Sequence, residues 1–305
     1  MPNNIVIATR NSPLALWQAR FAAEQLQAAY PHLQCELLPM TTKGDQLLEV
    51  TLHKIGGKGL FLKELEQAML EGRADIAVHS MKDVPAELPD GFHIACVFER
   101  ADPSDALVSP HYESIKQLPK NAVVGTSSLR RQAQLLRMRP DLSIQPLRGN
   151  VQTRLRKLDE GQYAAIVLAS AGLQRLDLSA RIASRLMPPT WLPAVAQGAV
   201  GVECLSHRQD LLELLQPLNH QATIDCITAE RAFNARLDGS CSVAIGALAQ
   251  WHNKALRLQG GVFSPDGTQT LLAEASGTDP QAVGTTLAEG LLQRGARDIL
   301  ALSQS

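Results

Sequence analysis

Asp83 closes the run Asp75-Ile76-Ala77-Val78-His79-Ser80-Met81-Lys82-Asp83, in which a short apolar strand passes directly into polar and charged side chains. Open α/β sheets present functional groups at the carboxyl ends of their strands, beside the binding crevice. An acid placed there next to Lys82 and Ser80 can stabilise a developing cation or carry a proton. The same residues also read as a plain turn, because Pro85 holds Val84 extended and Asp is ordinary turn chemistry.

A second kind of chemistry is written in Val124-Gly125-Thr126-Ser127-Ser128-Leu129-Arg130-Arg131, where small hydroxyl residues stand between a strand and a helix. The unsatisfied amides and positive end of a helix suit an anion, and Arg130 and Arg131 add planar forks. Leu147-Arg148-Gly149-Asn150 repeats the arrangement, with Arg154 one turn inside the next helix, and Arg10 ends the first strand. Each junction alone reads equally well as a helix cap. Together they point to a cleft for a ligand with several carboxylates.

Charge is distributed accordingly. The net charge is −1, yet the stretch from Ser104 to Leu192 holds thirteen Lys and Arg, ten of them Arg, against six Asp and Glu. An excess of Arg over Lys favours carboxylates or phosphates held by forks, although any single arginine is as well explained by a solvated helix face.

Ile55-Gly56-Gly57-Lys58-Gly59 invites comparison with a phosphate loop, but the spacing and the following residue are not those of a Walker motif. A basic lid over a cleft, with Lys54 and Lys58 reaching inward, fits better. Cys241 lies in Leu237-Asp238-Gly239-Ser240-Cys241, a Gly-Ser loop after a helix. A lone Cys is ordinarily a small buried hydrophobe, whereas a loop thiol near arginines ionises more readily. Local sequence leaves both readings open.

The elements that must position these residues alternate between strand and helix. Strands are expected at 5–8, 35–40 and 76–78, with helices at 14–29 and 60–70. Ser12 has N-cap chemistry there, and Pro13 suits the first helical position. A comparable series follows: strands at 122–125, 143–147 and 165–169, with helices at 129–138 and 151–158. This makes two open α/β lobes. The chain crosses between them at 99–104 and 192–197, and a strand at 200–204 rejoins the first lobe. The remainder reads as a small α+β domain: a helix at 222–236, antiparallel strands at 243–249, 255–263 and 270–275, and helices at 280–292 and 296–302. The expected domains are therefore 1–98 with 199–216, 104–192, and 221–305.

With 305 residues and 45% apolar content, the chain has room for two or three domains and a large core. Aromatic residues are 4% of the total, which argues against a base-stacking platform for nucleic acid. The first twenty residues lack the pattern of a signal peptide, and no stretch approaches the length of a membrane span. The five cysteines, Cys35, Cys96, Cys204, Cys226 and Cys241, show no CxxC spacing. A cytoplasmic protein with neither disulfide framework nor metal site is expected.

Over essentially its whole length the sequence resembles the porphobilinogen deaminase family, also called hydroxymethylbilane synthases. The resemblance is carried by Ile7-Ala8-Thr9-Arg10, Gly56 to Phe61, Asp75 to Pro85, Gly125 to Arg131, Leu147 to Val151, Leu192 to Val202 and Glu230 to Cys241. It implies a transferase of haem and tetrapyrrole biosynthesis that condenses porphobilinogen, with loss of ammonia, into linear hydroxymethylbilane. It also implies a dipyrromethane cofactor, made from substrate and attached through a thioether to Cys241. Two lobes like those of periplasmic binding proteins would enclose the site, in a monomer with no nucleic-acid or membrane partner.

On the same resemblance, Lys82, Asp83, Thr126, Ser128, Arg130 and Arg131 hold the cofactor. Arg10, Ser12, Arg148, Arg154 and Arg175 serve incoming rings, Phe61 lies over a pyrrole, and Asp83 stabilises the cationic azafulvene left when ammonia departs. The usual Gly-Gly-Cys is Gly239-Ser240-Cys241 here, and the usual Pro three residues later is Ala244. A non-catalytic carboxylate-binding protein on the same two lobes would explain the arginines, but would not require Asp83 beside Lys82 or a loop Cys.

Overall fold

The structure, a computed structural model, describes residues 2–42, 62–239 and 243–303. By its internal contacts the chain divides into two compact units. The described residues of the first are 2–42, 62–101 and 198–224. Those of the second are 102–197 together with 225 onward.

The first unit is built on β1 (Asn4–Arg10), β2 (Gln34–Met40), β3 (Ile76–Ser80), β4 (Phe92–Val97) and β10 (Val200–Leu205), in the order β2-β1-β3-β10-β4. β1 is parallel to β2 and β3, whereas β10 runs antiparallel to both β3 and β4. Alternate residues face opposite sides of the sheet. Ile5, Ile7, Ile76 and Val78 pack with Ala19, Ala22, Ala23 and Leu26 of α1 (Pro13–Ala29). Ala8 and Ala77 pack with Leu65, Ala68 and Met69 of α2 (Lys63–Leu70) on the other side. Ser12 caps α1 by accepting from the Ala15 amide, and Pro13 opens the helix as its sequence predicts.

The second unit repeats this design. Its sheet comprises β5 (Asp105–Val108), β6 (Val123–Gly125), β7 (Ser143–Gln145), β8 (Ala165–Ala169) and β9 (Ser184–Leu186), ordered β7-β6-β8-β5-β9. β6 is parallel to β7 and β8; β5 is antiparallel to β8 and β9. One face is covered by α3 (Leu129–Met138) through Leu135 and by Trp191. The other is covered by α4 (Val151–Asp159) and α5 (Ser170–Gln174) through Leu155, Leu158 and Leu173. In each sheet the antiparallel strand next to the parallel set (β10 and β5) is the one laid down just after the chain crosses over. α6 (Gln209–Leu215) follows β10.

A third sheet, β11 (Ile245–His252), β12 (Ala255–Phe263) and β13 (Thr270–Gly277), is wholly antiparallel. It packs on α7 (Gln221–Arg236) through Ala229 and Phe233, on α8 (Pro280–Gln293) through Leu287 and Leu291, and on α9 (Ala296–Ala301). The expected fold class, two open mixed sheets and a separate three-stranded antiparallel sheet, is the one observed. The third sheet does not form a compact unit of its own, because its packing is shared with 102–197. Leu192, Ala133, Ala244 and Phe263 make one buried cluster, and the buried Glu230 carboxylate of α7 accepts from the Ala196 and Ala249 amides.

Three strands are absent from the sequence reading: β4, β5 and β9. Among the described residues β4 pairs only with β10, and β9 is a three-residue edge. Their signals are too short for alternation to register.

Candidate active site

In the first unit, parallel β1 and β3 end on the same edge of the sheet. Arg10 is the last residue of β1 and is half-buried; Ser12 follows as the cap of α1. After β3 the chain enters a tight 3-10 turn, Met81–Asp83. Met81 and Val84 are buried, so they pin the turn from inside and leave Lys82 half-buried and Asp83 exposed. The Met81 amide donates to the Ala199 carbonyl at 3.0 Å. Ser80 accepts from Gln18 of α1 at 2.7 Å, tying the strand end to the helix. Asp83 is thus presented by a braced turn.

In the second unit, β6 and β7 lie side by side and parallel, so the starts of α3 and α4 are neighbours. Ser127 locks them together: its hydroxyl donates to the Leu147 carbonyl and accepts from the Leu147 amide, both at 3.0 Å. Thr126 is buried and its hydroxyl accepts from the Ser128 amide; Ser128 caps α3 through the Arg131 amide. Asn150 caps α4 through the Thr153 amide. Gly149 has φ of 106°, and a Cβ there would collide with Thr153, so this bend requires glycine. Arg154 donates from Nε to the Gly149 carbonyl at 2.8 Å, which holds its stem against the bend next to half-buried Arg148. Arg175 follows α5, beyond the third parallel strand, and burial pushes its guanidinium down to about 10, still charged at neutral pH.

Arg130 and Arg131 are not the exposed forks that their position suggests. Both are buried on Asp105, a residue absent from the sequence reading. Asp105 Oδ2 accepts from Arg130 Nη1 and from the Trp191 indole, each at 2.7 Å. Its Oδ1 accepts from Arg131 Nε at 3.1 Å, Arg131 Nη2 at 2.7 Å and Gln197 Nε2 at 3.0 Å. Burial alone raises a carboxyl, but the charges and hydrogen bonds of Arg130 and Arg131 more than reverse this and hold Asp105 far below the usual carboxylate range. Arg131 gives its third nitrogen, Nη1, to the Val167 carbonyl at 2.9 Å, so all three are spent within the protein. Arg130 uses only Nη1, which also donates to the Leu192 carbonyl. Among the described residues its Nε and Nη2 make no hydrogen bond.

The arginine excess of this segment shrinks in the same way. Arg139 pairs with Asp141, Arg156 with Glu160, Arg181 with Asp159 and Arg185 with Asp102. With the two on Asp105, six of the ten are ion-paired. Arg148 lies on the loop after β7, Arg154 in the first turn of α4 and Arg175 just after α5, all following the carboxyl ends of the parallel strands. An Asp leading an apolar strand, as in Asp105-Ala106-Leu107-Val108, is the one sequence signal that could have exposed the pairing, since a buried carboxylate demands cationic partners.

Cys96 and Cys204 are buried, and burial pushes their thiols up to about 12 and about 11; it also raises Cys35. All are poor nucleophiles by that measure. Cys226 is likewise buried. Cys241, Phe61, Lys54 and Lys58 lie outside the described residues. No helix among the described residues is long and apolar enough to cross a membrane.

Fold and strand-end loops together define a mixed-sheet α/β protein whose polar and cationic side chains gather at the carboxyl ends of its parallel strands. Residues 5–213 match the family model for the porphobilinogen deaminase, dipyromethane cofactor binding domain, and residues 224–293 that for the porphobilinogen deaminase, C-terminal domain. The porphobilinogen deaminase of Laribacter hongkongensis is 54% identical over 298 residues, covering 97% of each chain. That of Chromobacterium violaceum is 55% identical over 301 residues, covering 98% of this chain and 97% of its own. The chain belongs to the porphobilinogen deaminase family. Among solved structures, the methionine binding protein MetQ overlaps 72% of this chain and 90% of its own, at a TM-score of 0.46 and 14% identity. The Bordetella pertussis BvgS periplasmic VFT2 domain overlaps 71% and 86%, at 0.44 and 16%.

Proposed function

We propose that this protein is a transferase that condenses porphobilinogen, with release of ammonia, into hydroxymethylbilane, on a dipyrromethane cofactor attached through a thioether to Cys241. The observation that carries this reading is family membership along the whole chain, at 54% identity to a porphobilinogen deaminase over 97% of both sequences. On this reading the functional domains are 1–98 with 199–216, 104–192 and 221–305, although residues 102–197 and 225 onward pack as one compact unit, and the protein acts as a cytoplasmic monomer.

The residues fit the cofactor. Its rings carry carboxylates, and among the described residues nothing accepts from Arg130 Nε or Nη2, although its side chain is 5% exposed. Lys82, Thr126 and Ser128 complete that grip, while Arg131 acts chiefly by fixing Arg130 and Asp105. Bound, the cofactor supplies the carbon nucleophile and a fixed anchor for the product chain. Arg10, Ser12, Arg148, Arg154 and Arg175 bind the acetate and propionate groups of incoming rings, with Phe61 against a pyrrole face and Lys54 and Lys58 in a lid. Asp83, exposed at the end of its braced turn, accepts the pyrrole N–H and stabilises positive charge as ammonia leaves. Cys96, Cys204 and Cys226 are buried, which suits none of them to carry the cofactor; Cys241 takes that role on the family resemblance.

Intact-protein mass spectrometry before and after incubation with porphobilinogen tests the reading. The purified protein should exceed its sequence mass by about two deaminated porphobilinogen units on one nucleophile, and Cys241→Ser should lack that adduct. An adduct on Cys35, Cys96, Cys204 or Cys226 overturns the anchor. Absence of both adduct and turnover supports the non-catalytic carboxylate-binding alternative.

A further inference from the structure

β10 touches the Lys82–Asp83 turn at three successive levels. The Ala199 carbonyl, just before the strand, accepts the Met81 amide at 3.0 Å. Gly201 lies opposite His79, and a Cβ there would collide with the Met81 thioether, so the absence of a side chain gives Met81 its buried seat. Glu203, opposite Ala77, reaches diagonally along the sheet to His79, whose Nε2 lies 2.8 Å from Glu203 Oε2. The pair is deep in the first unit, at 5% and 0% side-chain exposure.

This pair is an expensive way to fill space. Glu203 Oε1 is buried with no hydrogen-bond partner among the described residues. A second carboxylate, Glu66 of α2, is buried nearby; burial raises it, the Glu203 charge raises it further, and His79 and Lys63 oppose. Apolar side chains of similar volume generally stabilise such a location as well as a buried ion pair does, or better. A directional contact offers something they do not: it fixes the strand along its own axis. His79 is one residue before the end of β3 and four before Asp83, so a displacement of His79 is transmitted directly to the turn.

We infer that Glu203 is a positioning residue for the Lys82–Asp83 turn, acting through His79. The inference rests on the assignment of Asp83 to the reacting centre. Glu203 holds the imidazole, the imidazole fixes the carboxyl end of β3, and Met81 in the Gly201 recess sets the orientation of the two residues that follow. No contact of Glu203 with substrate is required.

Stability and turnover should therefore part company. In the cofactor-loaded enzyme, His79→Leu with Glu203→Leu should melt at or above the wild-type temperature, yet lose about tenfold or more in kcat, with KM nearly unchanged. Glu203→Gln keeps the volume and an acceptor but not the charge, and should lie between the two. A kcat within about twofold of wild type in either loaded variant overturns the inference. If the double variant yields no folded protein, Glu203→Gln decides alone. Asp83→Asn, assayed in parallel, separates the two levels. If it too keeps wild-type kcat, the assignment of Asp83 has failed; if it alone loses kcat, only the positioning role of Glu203 has.

Discussion

The Trp191 indole N–H and Arg130 Nη1 both donate to Oδ2 of Asp105, so a residue of the segment leading back to the first sheet and a residue of α3 share one carboxylate oxygen. Asp105 joins the strand, the helix and the connecting segment at a single buried point. Its loss should leave two guanidiniums without a counter-charge in the interior. Asp105→Asn should cost about 3–5 kcal/mol of stability at neutral pH, as breaking one side of a buried ion pair does, read as a shift in the urea midpoint.

That contribution also has a pH signature. The folded carboxyl of Asp105 is depressed relative to its unfolded value near 3.9. Its stabilising effect is therefore complete above that value and is lost progressively as pH falls below it. The difference between wild type and Asp105→Asn should be constant from about pH 6 upward and narrow below about pH 4. A difference that widens on acidification would contradict the assignment.

Arg130 and Arg131 should fail differently. Arg131→Leu removes three internal hydrogen-bonding nitrogens, so its main deficit should be in the melting temperature of the apo-protein. Arg130→Leu should also raise the apo fraction, because among the described residues two of its nitrogens have no acceptor and can serve ligand carboxylates. Intact mass and thermal melts on the same preparations distinguish them; equal apo fractions at equal apo-protein stability would contradict the division.

Asp83 is exposed, so Asp83→Asn should fold and load normally. Its kcat should fall by about two to three orders of magnitude, the scale of a lost electrostatic stabiliser, while Asp83→Glu keeps measurable activity. Steady-state rates per loaded enzyme are the measurement. Near-normal turnover in the Asn variant would make Asp83 structural.

Arg148→Leu and Arg154→Leu should assemble the cofactor and then stall with bound intermediates. Each lost charge-assisted contact removes about 1.5–3 kcal/mol, roughly tenfold or more in binding an incoming ring. Lysine at either position should restore only part of the rate, since a point charge cannot form the fork. A mass ladder after brief incubation with porphobilinogen reads this out, and a wild-type ladder and rate would remove both residues from the site.

What sequence could reveal here follows the range of the interactions involved. α3 and β8 have the bounds expected from their residues, because helix caps such as Ser128 and apolar runs such as Ala165–Ala169 act locally. Ser12 and Pro13 announce α1 for the same reason. β4 stayed hidden because its only partner, β10, is about a hundred residues away in sequence. The Asp105 cluster stayed hidden likewise: Arg130, Trp191 and Gln197 meet it from separations of 25, 86 and 92 residues. An arginine count measures charge, but pairing decides how much of it a ligand can use. The turn at Asp83 is legible because it is local, whereas the brace supplied by β10 is not.

The late arrival of β10 also orders events at the ribosome. All five strands of the second sheet come from one continuous stretch, 105–186, and can pair once it has emerged. The first sheet cannot close then: β3 lacks its antiparallel neighbour and β4 has no partner until residues 200–205 are translated. Closing such a long loop costs entropy that only the finished contacts repay. The turn bearing Asp83 is encoded early, but its brace is completed only after the second sheet has been synthesised.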